Sequence, residues 1–238
     1  MTKVAEQPKP YAPSGPWTDL GLTLPIFVLY HLGVMFLPVR NAADRVTEEL
    51  VALASHDRLA YAALTVGLGA LYVAVLLLMG RGKSLSLKNF AWLAAEGVLY
   101  ALCMRLIASA VVGRLLLAAG VPFAEGRFAG LVMSLGAGLY EELAFRAGLY
   151  GLGLKALHLI AGRPGRAQTF LLALVWAVIC ALVFSAWHHV GALGEEPSLP
   201  VFLFRAVCGL IFTLIFALRG FAPAVWTHVA YDVWVLVF

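Results

Sequence analysis

Charged side chains are scarce in this chain. Asp, Glu, Lys and Arg make up 13% of its 238 residues, 62% are hydrophobic, and the mean hydropathy is +0.90. A water-soluble domain of this length needs a far more polar surface, which leaves a polytopic membrane protein in one compact bundle. Basic charge is thin as well. The net charge is +4 and the basic residues are scattered through short segments, so they read as charges orienting a membrane protein and not as a nucleic-acid surface. Only Cys103, Cys180 and Cys208 are cysteines, each in an apolar run and without CxxC or another metal-ligand spacing; buried thiols are expected. No small-residue cleavage pattern follows the first apolar run, so that run is a retained helix and not a signal peptide.

What is present is a series of long apolar runs. Residues 1–17, with Pro8, Pro10, Pro13 and Pro16, read as a flexible tail. A single transmembrane domain over 18–238 follows, all-α, with about seven membrane-spanning helices. The first run is Leu20–Leu37, weakened by Pro25 and His31. Asn41–Ala54 sets Val46, Leu50, Val51 and Leu53 against Asp44, Arg45, Glu48 and Glu49, the pattern of an amphipathic helix on a membrane surface. Further spans are expected over Leu59–Met79, Lys88–Val112, Phe128–Ala161, Thr169–His189, Leu199–Leu218 and from Pro223 to Phe238. Phe128–Ala161 is too long for a straight crossing and must tilt, kink or project.

Against this background the few charged residues inside spans are functional candidates. The densest group is Glu141-Glu142-Leu143-Ala144-Phe145-Arg146. Glu142 and Arg146, four apart, share a helix face and suit an ion pair. Glu141 is turned about 100° from Glu142 on an α-helix, so one carboxylate is anchored while its neighbour faces elsewhere. Phe184 and His188 end the fifth of these expected spans one turn apart, so the phenyl ring can orient the imidazole; His228 and Asp232 share a face of the last. Glu96, Arg105 and Arg205 also lie within spans. Each pair alone fits an ordinary polar contact in a bundle. Three helices supplying two imidazoles and two carboxylates at a similar depth fit chance less well. A desolvated carboxylate is a stronger base than one in water, and peptide hydrolysis needs such a base together with donors aimed at an oxyanion.

The motifs EExxxR, FxxxH and HxxxD, here Glu141-Glu142-x-x-x-Arg146, Phe184-x-x-x-His188 and His228-x-x-x-Asp232, occur in this order. With them the region 128–238 resembles the CAAX protease and bacteriocin-processing (CPBP, or Abi) family of intramembrane glutamic endopeptidases. The resemblance implies a membrane helical bundle with an internal site. It implies Glu141 as general base, His188 positioning the water, and His228 with residue 232 stabilising the oxyanion. Candidate catalytic residues are therefore Glu141, Glu142, His188, His228 and Asp232, supported by Arg146 and Phe184. The family pattern has Asn or Asp at this position; if Asn is the usual donor, Asp232 replaces it only when protonated, or else orients His228 from behind. No cofactor is implied, although His188, His228 and a carboxylate also leave a zinc peptidase open. A non-catalytic immunity or scaffold protein, or a transporter using Glu96, Arg105, Arg205 and Asp232 as a polar path, stays open too; no internal repeat of interrupted helices is visible for a transporter.

With the N-terminus in the cytoplasm, eight flanking basic residues (Lys3, Lys9, Arg81, Lys83, Lys88, Arg163, Arg166, Arg219) fall inside and five (Arg40, Arg45, Arg58, Arg114, Arg127) outside. The expected setting is a bacterial inner membrane, with a membrane-anchored or lipidated protein as substrate. A cytosol-facing CAAX prenyl endopeptidase is the alternative if the number of crossings differs.

Overall fold

The computed structural model describes residues 16–37, 43–55, 57–79, 85–113, 126–162, 165–190 and 194–238. Most of the expected N-terminal tail, together with Arg40, Arg81, Lys83, Arg114 and Arg163, lies outside the described residues. Pro16 and Trp17, expected in the tail, already belong to the first helix.

Among the described residues there is no strand, and the chain forms eight helices: α1 (Pro16–Phe36), α2 (Arg45–Leu53), α3 (Arg58–Met79), α4 (Leu87–Val112), α5 (Arg127–Ala161), α6 (Arg166–Trp187), α7 (Leu199–Arg219) and α8 (Phe221–Leu236). Six of them, all but α2 and α8, are long and apolar enough to cross a membrane. The protein is an integral membrane protein. The expected seventh crossing, α8, has 16 residues; at ~1.5 Å per residue it is about 24 Å long, short of a ~30 Å hydrocarbon core. Length is not what makes α8 important. It packs against α1, α4, α5 and α7 and is the centre of the bundle.

Two features aim α8. Gly220 separates it from α7 at φ +103°, a left-handed backbone that favours glycine. The carboxylate of Asp19, buried in α1, then accepts from the Phe221 amide at 2.6 Å, satisfying a helix N-terminus that would otherwise be left bare. Further along, Leu22 accepts from the Trp226 indole at 3.0 Å. Gly97 of α4 lies so close to the Trp226 backbone that a Cβ there would sit 2.9 Å from its carbonyl carbon.

These contacts also give the directions. α1, α4 and α8 run in parallel, with Asp19 against Phe221 and Arg105 against Trp234. α3, α5 and α7 run the other way, as the pairs His31 with Tyr61 and Glu96 with Arg219 require. Glu96 of α4 pairs with Arg219 at the end of α7, at 2.7 Å. His31, which looked like a weakness of α1, is fully buried and held at both ring nitrogens, by Tyr61 at 2.9 Å and Tyr140 at 2.8 Å. Amphipathic α2 is anchored at its start, where Asp44 caps the Thr47 amide at 2.8 Å and accepts from Tyr30 at 2.6 Å. It buries Thr47 against the bundle and leaves Leu53 exposed, as a helix meeting lipid headgroups would.

Candidate active site

The acidic motif lies inside α5, which is not uniform. Arg127–Gly136 and Gly153–Ala161 are α-helical, but Ala137–Leu152 between them is wound as a π-helix, with i→i+5 bonds. Such segments are rare and concentrate at functional sites. Gly138, Gly148 and Gly151 make this stretch a poor α-helix. Gly138 also meets α8 closely: a Cβ there would lie 2.9 Å from the Val229 amide nitrogen. The wider winding changes one expectation. It turns less per residue than the ~100° of an α-helix, so Glu141 and Glu142 diverge less than expected and both carboxylates face the imidazole of His228.

Glu142 is the inner member. Its Oε1 lies 3.0 Å from Arg146 Nη1 and accepts from His228 Nδ1 at 2.7 Å, with the Glu142 and Arg146 side chains 0% and 1% exposed. Arg146 also donates to the Gly209 carbonyl at 3.2 Å and lies over the Phe184 and Phe212 rings, 4.1 and 5.0 Å from their centroids. The expected pair is present, with an addition the spacing did not reveal. Glu142 is the carboxylate bonded to His228 Nδ1, whereas Asp232 approaches the other ring nitrogen.

Glu141 is the outer member. Its Oε2 lies 3.7 Å from His188 Nε2 and 3.8 Å from His228 Nε2, beyond a direct hydrogen bond but within reach of one shared water or substrate atom. His188 follows the last residue of α6, and its Nδ1 donates to the Phe184 carbonyl at 2.9 Å while its ring stands edge-on to Phe184, centroids 5.0 Å apart. In the neutral ring this makes Nε2, the atom facing Glu141, an acceptor. Asp232 Oδ2 lies 3.5 Å from His228 Nε2, on the same side as Glu141. Phe212 stacks on the His228 ring at 4.5 Å and 19°.

Beyond α6, Glu195 ties this end of the site to α7. Glu195 donates its amide to the His188 carbonyl at 2.8 Å, and its carboxylate takes both terminal nitrogens of Arg205 at 2.6 and 2.5 Å. His189 turns away, its Nδ1 3.2 Å from the Glu195 carbonyl. Arg205 is thus tied to Glu195 and Glu96 to Arg219, while Asp232 lies beside His228. Among the described residues no three His, Cys, Asp or Glu side chains are grouped as a metal ion would need.

All seven residues singled out by the motifs thus meet, from α5, the end of α6, and α8. Reasoning from sequence missed Asp19, Gly209 and Phe212. Asp19, a lone acid opening an apolar run, carried a usable signal; Phe212 and Gly209 look like any other residues of an apolar helix.

The all-helical membrane bundle thus encloses two glutamates, two imidazoles and an aspartate in one cluster. Residues 123–234, just under half of the chain, match the family model described as type II CAAX prenyl endopeptidase Rce1-like, a match to the CPBP family of membrane proteases. No curated protein and no solved structure matches the chain.

Proposed function

We propose that this protein is a glutamic intramembrane endopeptidase that cleaves a membrane-anchored protein. The observation that carries the reading is the placement of Glu141 between the Nε2 atoms of His188 and His228, at 3.7 and 3.8 Å. Glu141 takes a proton from water held against His188, and the hydroxide oxygen attacks the peptide carbonyl carbon. The carbonyl oxygen becomes an oxyanion beside His228. As the C–N bond breaks, Glu141 returns the proton to the leaving amine. His228 donates from Nε2 only as an imidazolium, because Nδ1 donates to Glu142; two glutamates and Asp232 around it suit that charge. The family match supports an endopeptidase in the membrane. The test compares protein termini in membranes containing the active protein or Glu141→Gln. New termini that depend on Glu141 are expected, and identical sets would refute the reading.

Asp232 supplies a sharper test. Asn donates a hydrogen bond at any pH, whereas an ionised carboxylate repels an oxyanion. Asp232→Asn is therefore expected to retain or raise kcat. A loss as deep as that of Glu141→Gln would show that a carboxylate is required there, as a metal ligand or as a base, and a chelator arm on the purified protein would separate those two.

The site lies towards the end of the bundle that carries the C-termini of α6 and α8, opposite the C-terminus of α5 and the start of α4. With the N-terminus cytoplasmic, as the eight-to-five distribution of basic residues favours, that end is outward. The substrate is then an exported or anchored protein, and α2 lies on the same side to guide its membrane-proximal segment. Single cysteines at Glu196 and Lys88, with the native cysteines replaced, should respectively be labelled by and protected from an impermeant thiol reagent in intact cells. The reverse pattern would favour a cytosolic tail as substrate.

A further inference from the structure

A second feature lies on the back of α8, away from His228 and Asp232. There α4 and α8 leave an open-sided groove of about 450 Å³, its floor made of small residues such as Ala94, Ala101 and Ala230 and its walls including Val98, Trp226 and Trp234. The lining is almost wholly apolar. One turn past Ala101 on the same face of α4 is Arg105, and its guanidinium carbon stands 4.6 Å from the Trp234 ring centroid. Arg105 is only 9% exposed. Among the described residues it has no ion pair or hydrogen bond, unlike Arg146, Arg205 and Arg219, each of which has a carboxylate partner. A cation held in an apolar bundle without an anion is costly, and Trp234 offers it only a ring face.

We propose that the groove binds one anionic phospholipid, its acyl chain along α4 and α8 and its phosphate on Arg105. The dimensions suit this occupant. Ala94 to Arg105 spans about 16 Å at ~1.5 Å per residue, close to one leaflet of a ~30 Å hydrocarbon core. Arg105 also sits where α8 is about to end, since Leu236 closes that helix two residues past Trp234. A tryptophan and an arginine side by side at a helix end mark the depth of headgroups. The alanine floor admits a methylene chain that larger side chains would exclude. Because α8 also carries His228 and Asp232, the lipid braces the rear of the helix that supplies two site residues. The binding itself does not rest on the peptidase reading.

The experiment uses the full chain in detergent, titrated with phosphatidylglycerol or phosphatidylcholine of equal chain length and read by native mass spectrometry and thermal unfolding. One phosphatidylglycerol per protein should be retained, with a raised melting temperature. Arg105→Gln should weaken its binding about fivefold, bringing it level with phosphatidylcholine, and Arg105→Lys should restore most of the preference. Ala230→Phe, which fills the groove and leaves Arg105 in place, should displace both lipids. Glycerol phosphate, which has the headgroup but no chain, should neither bind nor compete. Equal lipid preference in the wild type and Arg105→Gln, competition by glycerol phosphate, or a second copy of the chain occupying the face in place of lipid would each overturn the proposal.

Discussion

Glu141→Gln should lower peptide hydrolysis by about 10²–10⁴-fold while leaving the bundle folded. Gln keeps the shape of the side chain and cannot accept a proton from water. Glu141 is 6% exposed, and exchanging a buried charge for a neutral amide removes a desolvation cost, so the melting temperature should hold or rise. The structural load is carried next door, where Glu142 holds both Arg146 and His228. Product formation and thermal unfolding on the same purified samples check both halves of the expectation. An active Glu141→Gln enzyme would remove the general base from the mechanism; an unfolded one would make Glu141 part of the scaffold.

The neighbouring substitution should behave in the opposite sense. Glu142→Gln leaves the Arg146 guanidinium, 1% exposed, without a carboxylate and deprives His228 Nδ1 of its ionised partner. Breaking one side of a buried pair costs ~3–5 kcal/mol, which for a chain of this size lowers Tm on the order of 10 °C. Adding Arg146→Met to Glu142→Gln removes both charges together and should recover part of the lost stability, because no uncompensated buried guanidinium remains. Activity should stay low in the double variant, since His228 Nδ1 remains without the ionised acceptor that supports its imidazolium form. Unchanged stability in Glu142→Gln with a purely catalytic loss would show that Glu142 reacts and does not merely hold its neighbours.

Together these substitutions separate two roles that one dipeptide combines. In a regular α-helix, adjacent residues cannot readily address the same partner. The π-wound segment Ala137–Leu152 relaxes that restriction, and it does so around Glu141 and Glu142. The lone acid of α1, Asp19, then matters at a distance: by capping α8 it sets the height and direction of the helix that brings His228 to both glutamates. Helix α1, which the motifs do not touch, is thus part of how the site is aimed.

Much of this was legible without coordinates, and the reason is the solvent. In hydrocarbon a backbone must satisfy its own hydrogen bonds, so long apolar runs can only be helices, and an ionisable residue inside one must be paired or used. That logic determined the all-helical class, six of the expected spans and the ionisable residues inside them as candidates, and spacings of four placed Glu142 with Arg146 and His228 with Asp232 on common faces. Tertiary structure decided what spacing cannot encode. The close approach of Gly138 to the α8 backbone joins residues far apart in the chain. The bond from Glu142 to His228 joins residues 86 positions apart, and the stacking of Phe212 on that ring looks in sequence like any other apolar contact. Periodicity records which residues share a face of one helix. Which faces of different helices meet, and at what height, is set by close packing and by single long-range caps such as Asp19 on Phe221, and those leave no period in the chain.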